Sequence, residues 1–324
     1  MSSSSLSVLV VGFSVTAANP GYVEMARLRP DWPPGVALER VAIGGAFIHQ
    51  LKFIIAEILS IYRPDLVVLE VATTGIRNFG TEAGYRSHLD PLLAEIAAAG
   101  AGVAFLDLPR LDVDPVTDWV MATHRRAAEE HGLAYDHVPL VGAELLDLVH
   151  PTPDGHRRYA KRLSSLVRGA VATLAEDRLR LHGALDARPE KGRYRSLRAS
   201  RHSLARTKGF SRTGLMLDML PLAPGAPLSY LPPAGWHFAG VTHLIGPKTG
   251  ALRLSLGDRT KTVPGYDVHA YYNRLAFALL PEPKAGVARI EQLPDLPQIV
   301  PLKGTPDTGP RLGHIGHYLL QRAD

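Results

Sequence analysis

The chain predicts two modules of different class: a three-layer α/β/α sandwich built on a parallel sheet, followed by an all-β sandwich. Three observations carry this expectation. From residue 6 to about 180, short Val- and Leu-rich runs alternate with longer amphipathic stretches, the pattern of βα units whose helices cover both faces of a parallel sheet. Composition then turns basic over residues 186–212. Beyond Gly214, Pro and Gly punctuate short β-prone runs and helical periodicity fades, as in β-sandwiches. The expected boundaries are 1–185 for the α/β module, 186–212 for a basic linker and 213–324 for the β module.

The elements follow in order. Leu6–Val11, Ala37–Ile43, Leu66–Val71 and Val103–Leu106 are short apolar runs bounded by Gly, Pro or charge, and they read as buried parallel strands. Between them, Ala46–Tyr62, Tyr85–Ala98, Val116–His131 and Asp154–Leu174 space apolar residues by three and four with charges opposite, as amphipathic helices do. In the second module the strand candidates are Leu215–Leu220, Trp236–Leu244, Ala251–Leu256, Asp267–Leu279 and Val287–Ile290.

Composition narrows the chemistry. The 324 residues include no Cys, which removes disulfides, thiolate metal sites and a cysteine nucleophile. Met1-Ser-Ser-Ser-Ser-Leu-Ser lacks a basic signal-peptide start, and no window holds the roughly 20 apolar residues of a membrane span. A soluble, cytoplasmic protein is the expectation. The net charge of +5 is local: Arg188–Arg212 holds nine Lys and Arg against the single acid Glu190, so the remainder is net acidic. A polyanion partner would use such a run, but it lacks the regular aromatic interleaving of single-strand binders. It reads as a solvated linker, with nucleic acid unlikely as a partner. His124, His131 and His137 are scattered at seven- and six-residue intervals, without the spacing of a metal site.

The richest stretch is Asp147-Leu-Val-His150-Pro-Thr-Pro-Asp154-Gly-His156, a carboxylate and an imidazole three residues apart just before a helix. A general-base His needs an Asp to fix its tautomer and stabilise the imidazolium. Asp154 reads as the N-cap of the following helix and His156 as a surface residue of its first turn. The nucleophile that such a pair would serve is Ser14, in the turn that follows the first strand. In open parallel sheets sites form at the carboxyl ends of strands, and Ser14, Gly45, Thr74 and the Asp147–His150 run all fall there or in loops entering helices.

Four blocks in this order, Gly12-Phe13-Ser14, Ile43-Gly44-Gly45-Ala46, Leu69-Glu-Val-Ala72-Thr73-Thr74-Gly75 and Asp147-x-x-His150-Pro, resemble those of the SGNH (GDSL-like) hydrolases over residues 6–175. The resemblance implies the family's flavodoxin-like α/β/α fold and a serine ester hydrolase. Ser14 would be the nucleophile, His150 the general base and then acid, and Asp147 the orienting carboxylate. The implied oxyanion hole comprises the Ser14 and Gly45 amides and, in place of the family's Asn, Thr74, with Asn78 as a second candidate on the same loop. Two further departures are Ala72 where the family has Gly and Phe13 where it has an acidic residue. Ser14 is followed by Val15-Thr16, unlike the Gly-x-Ser-x-Gly elbow of α/β-hydrolases. Neither a cofactor nor a metal is expected.

The substrate class implied is an acyl, above all acetyl, ester of a small molecule or glycan, with Trp236, His237, Tyr266, Tyr271 and Tyr272 as sugar-contact candidates on the β module. The alternatives are a glycan O-acyltransferase in polysaccharide synthesis and a catalytically impaired carbohydrate-binding or assembly protein. Strand aromatics otherwise serve the core.

Overall fold

A computed structural model describes residues 6–78, 80–176, 191–203, 206–294, 299–304 and 309–323. They fall into two compact units, Met1–Lys191 and Gly192–Asp324.

In the first unit five strands form a wholly parallel sheet: β1 (Leu6–Gly12), β2 (Val36–Ala42), β3 (Leu66–Glu70), β4 (Gly102–Asp107) and β5 (Ala134–His137), in the order β2-β1-β3-β4-β5. β3 and β4 are buried along their whole length, which is why their sequences are unbroken apolar runs rather than alternations. The helices are α1 (Tyr22–Arg27), α2 (Ile48–Leu51), α3 (Ile55–Tyr62), α4 (Glu82–Ala98), α5 (Trp119–His131) and α6 (Pro153–Glu176). The expected helix over Ala46–Tyr62 is therefore two pieces, divided at Lys52–Ile54. α5 starts at Trp119, where the Asp118 carboxylate caps the Met121 amide at 3.1 Å. The edge strand β5 escaped the sequence reading because Ala-Tyr-Asp-His is short and polar.

Register positions the site. Gly12 lies opposite Ala42 of β2 and opposite Glu70 of β3, so the turns after β1, β2 and β3 leave the sheet at one level. Those turns carry the first three blocks.

The second unit is an antiparallel β-sandwich. One sheet runs β13 (Arg274–Lys284), β10 (Trp236–Ile245), β15 (Gly313–Arg322), β8 (Leu215–Leu222), β7 (Lys208–Arg212), with β6 (Tyr194–Arg198) also paired to β15. The other runs β12 (Arg259–Val263), β11 (Leu252–Leu256), β14 (Ala288–Gln292), β9 (Leu228–Tyr230). Phe238, Val241, Tyr318 and Leu320 from the first sheet meet Leu252, Leu254, Val263 and Ile290 from the second in one core.

The expected linker 186–212 is corrected in part. Its described residues supply β6 and β7, which pair with β15 and β8; Leu197 of β6 packs against the sandwich core and Phe210 of β7 is buried. Arg195 stacks over Trp236 at 3.9 Å. Residues 186–190, 204 and 205 lie outside the described residues. Among the described residues no helix is long and apolar enough to cross a membrane.

Candidate active site

Ser14 heads a turn closed by the Ala17 amide on the Phe13 carbonyl at 2.9 Å. Its neighbours Phe13 and Val15 are buried and pin the turn, while Ser14 itself stays half-buried. A side chain at Gly12 would collide with Thr16, so the strand can end this tightly only on glycine. Among the described residues the Ser14 hydroxyl has no hydrogen-bond partner, and no bond joins it to His150.

The second block folds against the first. The Ile43 amide donates to the Gly12 carbonyl at 3.1 Å, and the Ala46 amide closes a turn on Ile43 at 3.2 Å. Gly45 occupies the left-handed region at φ +78°, as the third residue of such a turn requires. A Cβ on Gly44 would stand 4.0 Å from the Ser14 Cβ, so it is this glycine that lies against the serine, with the Gly45 amide one peptide further on.

Two arginines hold the third block. Arg77 Nη1 donates to the carbonyls of Ala72 (2.5 Å) and Thr74 (2.9 Å), and Arg110 Nη1 donates to that of Thr73 (2.6 Å). Arg77 is itself fixed by Asp118, and Arg110 by Asp112. Three successive carbonyls are thereby claimed. Thr74 is buried, and its hydroxyl finds no partner among the described residues. Asn78 is exposed at the far end of the 3-10 turn Gly75–Asn78.

In the fourth block the Asp147 carboxylate accepts the amides of Val149 and His150 at 2.9 Å each, and its Oδ2 meets His150 Nδ1 at 2.8 Å. Partial burial alone works upward on this carboxyl, but the two amides and the imidazole hold it below the usual carboxylate range. A carboxylate at Nδ1 leaves Nε2 as the ring nitrogen free for chemistry. The Leu146 amide on the His150 carbonyl (2.7 Å) and the Leu145–Pro151 bridge close the loop.

Two readings of this stretch change. The N-cap of α6 is Thr152, whose hydroxyl accepts the Gly155 amide at 3.2 Å. Pro153 takes the first helical position, where its missing amide costs nothing, and Asp154 instead pairs with Arg157 on the surface. His156 is buried rather than exposed, its Nδ1 without a partner among the described residues. Burial, together with the nearby His150 and against the pull of Glu24, pushes its imidazole below the ordinary value.

The sequence reading did not single out Glu70. It is fully buried at the end of β3 and accepts from Thr16 Oγ1 and Thr73 Oγ1 at 2.8 Å each. An acid inside an apolar strand, next to the third block, was the available signal. A second Asp–His pair, Asp107 and His124 at 2.7 Å with Tyr85 on the other ring nitrogen at 2.6 Å, is wholly buried and stacked on Phe105; without access it serves packing. Among the described residues no three His, Asp or Glu side chains are grouped to hold a metal.

Of the sugar-contact candidates, Tyr266 is buried under Arg311, while Trp236 and His237 are half-buried. Tyr271 is exposed, with its ring centroid 5.0 Å from that of Tyr272, and Arg212 covers Tyr272 at 4.2 Å.

The sequence matches no protein-family model and no curated protein sequence. Among solved structures, a two-domain esterase active on acetylated mannans is similar over 98% of this chain and 91% of its own, with TM-score 0.61 and 10% identity. The same esterase co-crystallised with mannopentaose gives TM-score 0.60 over the same shares at 10% identity. A catalytic mutant of an acetylxylan esterase from Geobacillus stearothermophilus is similar over 51% of this chain and 94% of its own, with TM-score 0.43 and 19% identity. In fold, the chain is a parallel α/β unit followed by an antiparallel β-sandwich, the two-domain fold it shares with the mannan esterase.

Proposed function

We propose that this protein is a serine esterase that removes an acyl group, in the first instance acetyl, from a carbohydrate hydroxyl. The observation that carries the reading is the Asp147 carboxylate on His150 Nδ1 at 2.8 Å, in a loop leading into the last helix of an SGNH-like unit. Held in that tautomer, Nε2 takes the Ser14 proton as Oγ attacks the ester carbonyl. The tetrahedral oxyanion is met by the Ser14 and Gly45 amides and by the Thr74 hydroxyl, whose lack of a partner supports a donor kept for a transient charge. The imidazolium then protonates the leaving sugar oxygen, and water, activated by the same nitrogen, releases the acid from the acyl-serine.

An acetylated glycan is supported as substrate by the fold shared with an esterase active on acetylated mannans. Acetate release from acetylated mannan, measured with wild type and Ser14→Ala, tests the reading. Release by the wild type that falls to background in the variant is expected; equal release by both would overturn it.

A further inference from the structure

We propose that Glu70 is the positioning residue of this site: its buried carboxylate staples the loop that carries Ser14 to the loop that carries Thr74. This rests on the esterase reading of those two residues. Each carboxylate oxygen serves a different loop. Oε2 accepts from Thr16 Oγ1 at 2.8 Å, two residues after Ser14, and Oε1 accepts from Thr73 Oγ1 at 2.8 Å, one residue before Thr74. The backbone of Phe13, immediately before Ser14, also favours the charged carboxylate.

A fully buried carboxylate is a costly way to fill space in a strand end, since an apolar residue would pack there without loss of hydration. Its retention is explained by what it holds. Side chains that fix reacting groups need second partners that fix them in turn, and the Thr16 hydroxyl is so fixed, at 2.8 Å from the Tyr22 hydroxyl. Tyr22 packs edge-on against Tyr159 of α6, with ring centroids 6.2 Å apart, so the staple reaches the helix that follows His150.

The groups facing Glu70 are Asp107 on β4 and the phenols of Tyr22 on α1, Tyr85 on α4 and Tyr159 on α6, with Arg40 of β2 and Glu24 of α1 behind Tyr22. Burial, with Asp107 adding to it and the Thr73, Thr16 and Phe13 bonds working against it, raises the Glu70 carboxyl to about 7. As carboxylate it accepts from both threonines, in charge-assisted bonds roughly twice as strong as neutral ones. Once protonated it must donate through one oxygen. The Thr16 arm can then reverse, its hydroxyl donating to Tyr22, but the staple is weaker.

Glu70→Gln and Glu70→Leu, assayed beside wild type, test this. Misplacement of reacting groups by about 1 Å costs about a hundredfold, so kcat on an acetyl ester is expected to fall about tenfold to a hundredfold in Glu70→Gln and further in Glu70→Leu, with KM changed less than about threefold. Beside the ionisation of the general base, the wild-type rate should carry a second one near pH 7, with the rate rising as Glu70 becomes a carboxylate, that Glu70→Gln lacks. A Glu70→Gln enzyme with wild-type kcat and an unchanged pH profile overturns the proposal, as does a loss that lies in KM alone. Amide exchange of the segments around Ser14 and Thr74 separates this claim from the esterase reading. Faster exchange in both segments of a folded Glu70→Gln supports the staple even if wild type hydrolyses no ester, whereas unchanged exchange refutes it even if Ser14 proves catalytic.

Discussion

Thr74 and Asn78 stand four residues apart on one loop, in different surroundings. Thr74 is buried with an unpartnered hydroxyl, while Asn78 is exposed. Removal of one oxyanion donor costs about 10²–10³ in kcat, so Thr74→Val, which keeps the shape and deletes the hydroxyl, should lose that much in steady-state hydrolysis of an acetyl ester. Asn78→Ala should remain within about twofold on the same principle. Asp147→Asn leaves the amide cap of Val149 and His150 a carbonyl acceptor but sets an amide against Nδ1, which disturbs the tautomer; general acid–base work contributes about 10²–10⁴, and kcat should fall within that range with KM little altered.

At the scale of elements, the last helix shows how a start signal is read correctly in place and wrongly in residue. Thr-Pro-Asp announced the helix, and Thr152, not Asp154, does the capping. Thr152→Ala should therefore cost about 1 kcal/mol in urea unfolding, whereas Asp154→Ala, which removes only an exposed ion pair, should stay within about 0.5 kcal/mol. β1, β3 and β4 were legible because strands buried on both faces read as apolar runs. β6 and β7 were not, since a strand with one inward residue among four exposed ones, as in Lys208–Arg212, looks like any charged connection. The candidates Ser14, Gly45, Thr74 and the Asp147–His150 pair were singled out by their place after strands or in loops entering helices. Glu70 was legible only as an acid in an apolar strand, because one of its two partners, Thr16, lies 54 residues away in sequence.

For the molecule as a whole, buried ionisable groups make stability depend on pH. In the second unit burial lowers His243 and His314 to about 4. The unfolded chain gains a proton at each from about pH 6.5 downward, the folded chain only near 4. The unfolded state thus binds more protons across that window, and stability must fall with pH within it. Glu70 acts in the opposite sense: its folded value is raised from about 4.5 to about 7, so its contribution is full below about 4.5 and is lost as pH rises through 7. Trp236 emission in a Trp32→Phe, Trp119→Phe background should report a urea midpoint for the second unit that drops between pH 6.5 and 4. His243→Gln combined with His314→Gln should flatten that slope.

The central claim, that Ser14 is a nucleophile activated by His150, is tested most directly by reacting the intact protein with a fluorophosphonate and locating the adduct by peptide mass spectrometry. The account predicts a single adduct on the peptide containing Ser14, absent in Ser14→Ala and strongly slowed in His150→Ala. Adduct formation that persists in Ser14→Ala, or a wild type that stays unmodified, would contradict it.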